Sequence, residues 1–433
     1  MILQAREKLD GYVTSRVKPI KETLLNAQQI ASKIGVTRIA DITNLDRLNI
    51  PNFSAVLPGT EDYIWVYSGK GYTKIHAETS ALMETIERYS SLPKFYNKPF
   101  VTGSISDLSG KFDVLHPDDV VEPLLFDYNN DMKMDFINGF DLINKTNILV
   151  PAHLALFQYS PKYPCVDPFS LQHTNGLASG NVMEEAICHA LCEVIERDAI
   201  SIAELRCSAI PYHKLHTIST NLQFNKYNVS IIDKSNFVDD TSIYPDVEID
   251  ECDFLPLKKL VKRFRNAGIS LIIKDITSDL GIPTFIATSV EWISHDYGYL
   301  AEGHGTHPDK RIAIIRAITE VSQTRAANIQ GARDDLRKIK YNEHNTDDKF
   351  IWQFNKSKNK INYSEIISFE NKDILDDIEL ILLKLKENGI ERAIVVDLTN
   401  PLTQIPVVRI IVPGLETFKI SKSIIGWRGK RYF

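Results

Sequence analysis

A chain of 433 residues, 43% hydrophobic and 24% charged, has ordinary globular composition and enough length for a large core. Its net charge of −6 offers no basic surface for nucleic acid, and no window approaches the ~20 apolar residues of a membrane span. Charges in Met1-Ile-Leu-Gln-Ala-Arg-Glu-Lys do not suit a signal peptide, and five cysteines without CxxC spacing favour a reducing compartment, so a cytoplasmic protein is expected.

Taken in chain order, two segment types alternate. The first is a helix, a Gly-Ile/Val turn, a strand ending Asp-Ile/Leu-Thr, a short loop, and Ile-Pro opening another strand. It occurs at Gly35-Val36, Asp41-Ile42-Thr43 and Ile50-Pro51. The second type is a carboxylate helix, first seen as Ala81-Leu82-Met83-Glu84-Thr85-Ile86-Glu87-Arg88 after the loop Ser68-Gly69-Lys70-Gly71. That loop lacks the GxxxxGK[ST] frame, which leaves a tight turn or a phosphate contact of another kind.

The carboxylate helix returns as Ala190-Leu191-Cys192-Glu193-Val194-Ile195-Glu196-Arg197, with six of eight residues shared. Asn175-Gly176-Leu177-Ala178-Ser179-Gly180-Asn181 precedes it, suiting either helix capping by Asn181 or an anion at exposed N–H groups. Residues 233–253 are polar and read as a surface excursion. An amphipathic helix over Leu257 to Arg265 then restarts the first segment type at Gly268-Ile269, Asp275-Ile276-Thr277 and Ile282-Pro283. Glu302-Gly303-His304-Gly305-Thr306-His307 leads into a looser third helix, Ala317-Ile318-Thr319-Glu320-Val321-Ser322-Gln323. A second excursion covers 340–362. A helix from Ile374 to Leu385 opens the last copy, at Gly389-Ile390, Asp397-Leu398-Thr399 and Ile405-Pro406. The basic, aromatic end Trp427 to Phe433 reads as a solvated or docked tail.

At about 100° per residue, Ser80, Glu84, Glu87 and Arg88 share one helix face. Glu185, His189, Glu193, Glu196 and Arg197 share another, and Arg316, Glu320 and Gln323 a third; Arg325 falls about 140° from Glu320, off that face. Any single such face could be solvated. The second helix, however, continues Asp198-Ala-Ile-Ser-Ile-Ala-Glu-Leu, apolar on several sides, and a buried carboxylate must be paired or bind metal. Hard oxygen ligands select Mg²⁺ bridging to phosphates, and the arginines suit phosphate contacts.

Together these motifs resemble the YcaO family: Ser80-xxx-Glu84-xx-Glu87-Arg88, Asn181-xxx-Glu185, Glu193-xx-Glu196-Arg197-Asp198, Gly303-x-Gly305-x-His307, and Glu320-xx-Gln323. So do Asp46-Arg47-Leu48-Asn49-Ile50-Pro51, Gly69-Lys70-Gly71 and Val412-Pro413-Gly414-Leu415-Glu416. The resemblance implies an α/β fold of internally repeated helix–strand units around a central carboxylate-lined ATP site. It implies an N-terminal helix–strand segment over 1–60, a catalytic domain over 61–416 and a tail over 417–433. It further implies ATP and Mg²⁺ as cofactors, with a peptide carbonyl oxygen attacking the γ-phosphate.

By position Glu84, Glu193 and Glu196 would hold magnesium, with Glu87, Glu185 and Glu320 as further metal ligands. Lys70, Ser80, Glu84, Glu87, Arg88, Asn181, Glu185, Arg197, Arg316 and Gln323 would contact the nucleotide. Ala178 departs from members that carry serine there. Azoline-forming members end in a proline-rich tail; Lys430-Arg431-Tyr432-Phe433 favours instead the branch associated with a TfuA partner and an external sulfide source, which makes thioamides. One such product is thioglycine in the α subunit of methyl-coenzyme M reductase. A homodimer acting on a peptide or protein substrate is expected. The rivals are an azoline-forming cyclodehydratase, an accessory factor for ribosomal-protein methylthiolation, and a non-catalytic ATP-binding scaffold.

Overall fold

The computed structural model describes the chain except residues 10–12, 61–63, 208–219, 221–222, 225–242, 295–296, 333–340, 344–351, 422–423 and 433. Parts of both polar excursions expected from the sequence therefore lie outside the described residues. The longer helices are α1 (Ile20–Ile34), α2 (Lys74–Ser91), α3 (Met183–Arg206), α4 (Leu255–Ala267), α5 (Lys310–Gln330) and α6 (Ile374–Glu387). The strands are β1 (Arg38–Asp41), β2 (Asn52–Val56), β3 (Val66–Lys70), β4 (Val101–Ser104), β5 (Lys133–Asp141), β6 (Thr146–Pro151), β7 (Leu177–Ser179) and β8 (Asp246–Glu248). They continue as β9 (Ser270–Asp275), β10 (Thr284–Ser294), β11 (Tyr297–Thr306), β12 (Tyr341–Glu343), β13 (Lys360–Asn362), β14 (Ile394–Asp397) and β15 (Val407–Ile411).

The repeat read from the sequence is real structure. Helices α1 and α4 each end on a left-handed glycine, Gly35 and Gly268, and α6 is followed by Gly389 at φ 80°. The following strand ends at the repeated aspartate and pairs antiparallel with the strand after Ile-Pro: β1 with β2, β9 with β10, β14 with β15. Asp275 and Asp397 fasten their turns identically. Asp275 Oδ1 accepts from the Thr277 N–H, and Thr277 Oγ1 accepts from the Thr284 N–H at 3.1 Å. Asp397 Oδ1 accepts from the Thr399 N–H, and Thr399 Oγ1 from the Val407 N–H at 3.3 Å.

A third strand completes each hairpin and feeds a carboxylate helix. In the first copy β3 pairs with β2 and runs into α2; in the second β11 pairs with β10 and runs into α5. In the third copy the partner of β15 is β7, which precedes α3 far earlier in the chain. That copy is thus assembled from two distant stretches. Glycine at the crossing is a packing requirement: a Cβ on Gly69 would collide with the α2 backbone at Ala77 and Ala81, and one on Gly303 with the α5 backbone at Ala317 and Val321.

Two interleaved units result: Met1–Asp41, Asn52–Val194 and Asn371–Leu415 form the first, and Ile42–Pro51, Ile195–Glu370 and Glu416–Phe433 the second. The first contains the sheets β1-β2-β3 and β4-β5-β14-β15-β7, with β6 on β5; the second contains β12-β11-β10-β9-β8-β13. One core of the first unit packs α1 and α2 on β2 through Ala27, Ile30, Ala31, Phe53, Ala55, Ala77, Ala81, Leu82 and Ile86. In the second, α4 buries Leu257, Leu260, Val261 and Phe264, the stripe its periodicity predicts. Among the described residues, no helix is long and apolar enough to cross a membrane.

The tail is docked in the second unit. Arg428, 1% exposed, donates from Nε and Nη2 to both oxygens of Asp198 at 2.9 Å and from Nη2 to Asp279 at 2.5 Å. Glu416 accepts the N–H groups of Gly426 at 2.9 Å and Gly429 at 2.6 Å. Burial nevertheless pushes Glu416 up to about 7, aided by the neighbouring Asp198 charge.

Removing Arg428 strands the buried Asp198 charge, so Arg428→Ala should lower stability by about 3–5 kcal/mol in a denaturant melt. A loss under about 1 kcal/mol would show that the docked tail carries little of the fold. Glu416 takes up a proton on folding, so its contribution to stability falls as pH rises from its ordinary range to about 7. Melts of the wild type should show that slope, and Glu416→Gln should flatten it.

Candidate functional site

Each carboxylate helix is buried nearly all round except along one polar stripe. On α2 the residues between Ala77 and Ser91 that keep solvent access are Glu78, Ser80, Met83, Glu84, Glu87 and Arg88. On α3, between Glu184 and Leu205, they are His189, Glu193 and Arg197, spaced one turn apart. On α5, between Ile312 and Ala327, they are Arg316, Glu320, Gln323 and Thr324. Most of each helix is therefore packed, and the functional side chains read from the sequence fall largely among the residues that keep solvent access.

In the first unit the α2 stripe and the first half of α3 meet electrostatically. The Glu87 carboxyl is pushed well above the usual carboxylate range, first by the protein crowded around it, then by the charges of Glu193 and Glu84. Arg88 and the Ser179 N–H, which donates to Glu87, act the other way without prevailing. Arg88 stacks over Phe157 at 5.2 Å, and its buried Nε has no hydrogen-bond partner among the described residues. This is an acid-rich site that gains from a cation, beside a donor that gains from an anion.

Glu185 has a different environment from Glu193. It is 2% exposed and accepts from the Val17 N–H at 2.6 Å, the Asn181 N–H at 2.8 Å, Asn181 Nδ2 at 2.9 Å and Arg16 at 3.3 Å. Asn181 is tied in turn by Thr23 Oγ1, which donates to its Oδ1 at 2.8 Å. These residues fasten the start of α3 to the N-terminal segment. Lys70 ends β3, in register with Asn52.

In the second unit Glu196, assigned to the Glu193 face by the sequence, is 3% exposed. One oxygen lies 3.3 Å from Arg197, while Oε2 has no hydrogen-bond partner among the described residues. On α5 the His304 Nδ1 lies 3.5 Å from Glu320. Arg325 is buried and pairs with Asp46 through two bonds, at 2.8 and 3.0 Å, and with Glu291 at 3.0 Å. Its 140° offset thus reflects a packing role, and the Asp46-Arg47 motif is its anchor. The His307 ring does local work too, accepting the Asp309 N–H at 2.9 Å.

One charged residue escaped the sequence reading. Arg409 lies mid-strand in β15, and its charged surroundings include Glu193, Glu122 and Glu87. The available signal was a single arginine interrupting the β-branched run Val407-Val408-Arg409-Ile410-Ile411.

The chain matches, over residues 68–416, the family described as YcaO cyclodehydratase, ATP- and Mg²⁺-binding. It is 36% identical over 421 residues to an uncharacterized protein of Methanothermobacter thermautotrophicus, covering 95% of this chain and 97% of that one. It is 28% identical over 389 residues to an uncharacterized protein in the tfuA 3′ region of Rhizobium leguminosarum bv. trifolii, covering 88% and 84%. Its fold is similar to that of YcaO from Methanopyrus kandleri bound with AMPPCP and Mg²⁺, with a TM-score of 0.71, 22% identity and 97% of each chain covered. A match of this extent, on a chain whose carboxylate stripes were already in place, makes it a member of the ATP- and Mg²⁺-binding YcaO family.

Proposed function

We propose that this chain activates a peptide backbone amide with ATP and Mg²⁺ and delivers sulfur to the activated carbon, giving a thioamide. The observation that carries the reading is Glu87, raised first by burial and then by the charges of Glu193 and Glu84, a set that a hard divalent cation would allow to ionise together. The orphaned buried Nε of Arg88 is a further group that a metal–polyphosphate ligand would satisfy.

On this reading Glu84, Glu193 and Glu196 hold magnesium, with Glu87, Glu185 and Glu320 as further ligands. Lys70, Ser80, Arg88, Asn181, Arg197, Arg316 and Gln323 contact the nucleotide. When bound, ATP supplies the phosphoryl group that makes the amide oxygen a competent leaving group, and Mg²⁺ offsets the phosphate charge. The chain's own part is to hold Glu87 by the Ser179 N–H and to present Arg88 to an anionic oxygen.

The relative in a tfuA 3′ region supports a TfuA-type partner; an external sulfide donor is part of the same proposal. Thioglycine in the α subunit of methyl-coenzyme M reductase is the product we propose. The proposal includes a cytoplasmic homodimer. A second reading, azoline formation, has the family description of cyclodehydratase in its favour.

Glu193→Gln should cut magnesium-dependent ATP consumption at least about a hundredfold while leaving the melting temperature within a few degrees. Unchanged turnover would remove the site. Mass spectrometry of candidate peptides with enzyme, ATP, Mg²⁺ and sulfide should show the gain expected when sulfur replaces oxygen. Loss of one water without sulfide would establish the azoline reading instead.

A further inference from the structure

Arg409 is 5% exposed in an apolar strand, a position where a guanidinium normally faces a carboxylate. Its bonds go to neutral acceptors instead. Nε donates to the Leu154 carbonyl at 3.0 Å and Nη2 to His173 Nδ1 at 3.2 Å. Among the described residues it forms no ion pair with a carboxylate, and its Nη1 makes no hydrogen bond.

His173 is itself fixed. Its Nδ1 also accepts the Asn175 N–H at 3.2 Å, so the ring proton sits on Nε2, which donates to Glu122 Oε1 at 2.8 Å. Burial brings Arg409 down to about 10, only partly offset by the carboxylates of Glu193, Glu122 and Glu87, while Arg88 adds to the lowering. An arginine bound to neutral groups keeps its whole charge for a ligand. The open arm and the nearby carboxylate set place that charge where a metal-bound polyanion would sit.

We propose that Arg409 is an anion-contact residue of the carboxylate site, positioned by the His173–Glu122 pair, and that it takes an anionic oxygen of the nucleotide's phosphate chain. The inference rests on the reading of that site as one for a magnesium nucleotide. A purely structural arginine, or one serving only as counter-charge to Glu193, is the competing account.

The test measures the Kd for AMPPCP with Mg²⁺ by calorimetry, and for Mn²⁺ alone by electron paramagnetic resonance, in the full-length protein. Arg409→Met should weaken AMPPCP about tenfold to a hundredfold while Mn²⁺ alone binds as well or better, because a cation near Glu193 has gone. Arg409→Lys should fall between, and His173→Gln should weaken AMPPCP with Mn²⁺ unchanged. If Arg409→Met does not fold, these two variants carry the test, checked by melting. Unchanged AMPPCP affinity in the Arg409 variants, or equal weakening of both ligands, would overturn the inference. Glu193→Gln separates the two levels: if it alone impairs Mn²⁺ and AMPPCP binding, only the role of Arg409 fails. If it impairs neither, the underlying reading fails and takes this inference with it.

Discussion

The constraint on which the candidate site depends is the burial of the Glu87 carboxyl on α2, which with the added charges of Glu193 and Glu84 holds it well above the usual carboxylate range. Holding that carboxyl in so buried a place costs free energy in the bare protein. Between Ala77 and Ser91 on α2, and between Glu184 and Leu205 on α3, most residues are buried and few besides Glu84, Glu87, Arg88, Glu193 and Arg197 keep access to water. That packing depends on small residues at the crossings. Gly69 lets β3 lie directly on the α2 backbone, and Gly303 does the same for β11 on α5. The carboxylates are therefore positioned by close backbone approach, which fixes helix position more tightly than side-chain packing alone.

Much of this was legible in the sequence because it is repeated. The turn chemistry of Asp275 with Thr277 and of Asp397 with Thr399 appears as the same three-residue word, and the structure gives both words the same bonds. The glutamates on α2 and α3 share helical spacing, so the sequence alone defines their common face. Periodicity also set Arg325 apart from the ligand stripe, and its bonds to Asp46 supply the reason.

What remained illegible involved partners far apart in the chain. Nothing local marks Glu185 as an acceptor for Val17 and Arg16, since both lie well over a hundred residues away. The third copy of the repeat also hid its split, because β7 and β15 carry no common sequence word, only shared hydrogen bonds. Arg409 was passed over for a related reason. A strand written in β-branched residues reads as core, and only the fold shows that its one arginine lies among Glu193, Glu122 and Glu87.

The central claim is that the α2–α3 carboxylate set is a divalent-cation site. The most direct measurement is a crystal structure grown with Mn²⁺ and AMPPCP, read by anomalous scattering. The account predicts a manganese peak within about 2.0–2.3 Å of oxygens from Glu84, Glu87 or Glu193, bridged to phosphate. A peak elsewhere, or nucleotide bound with those carboxylates free of metal, would contradict it.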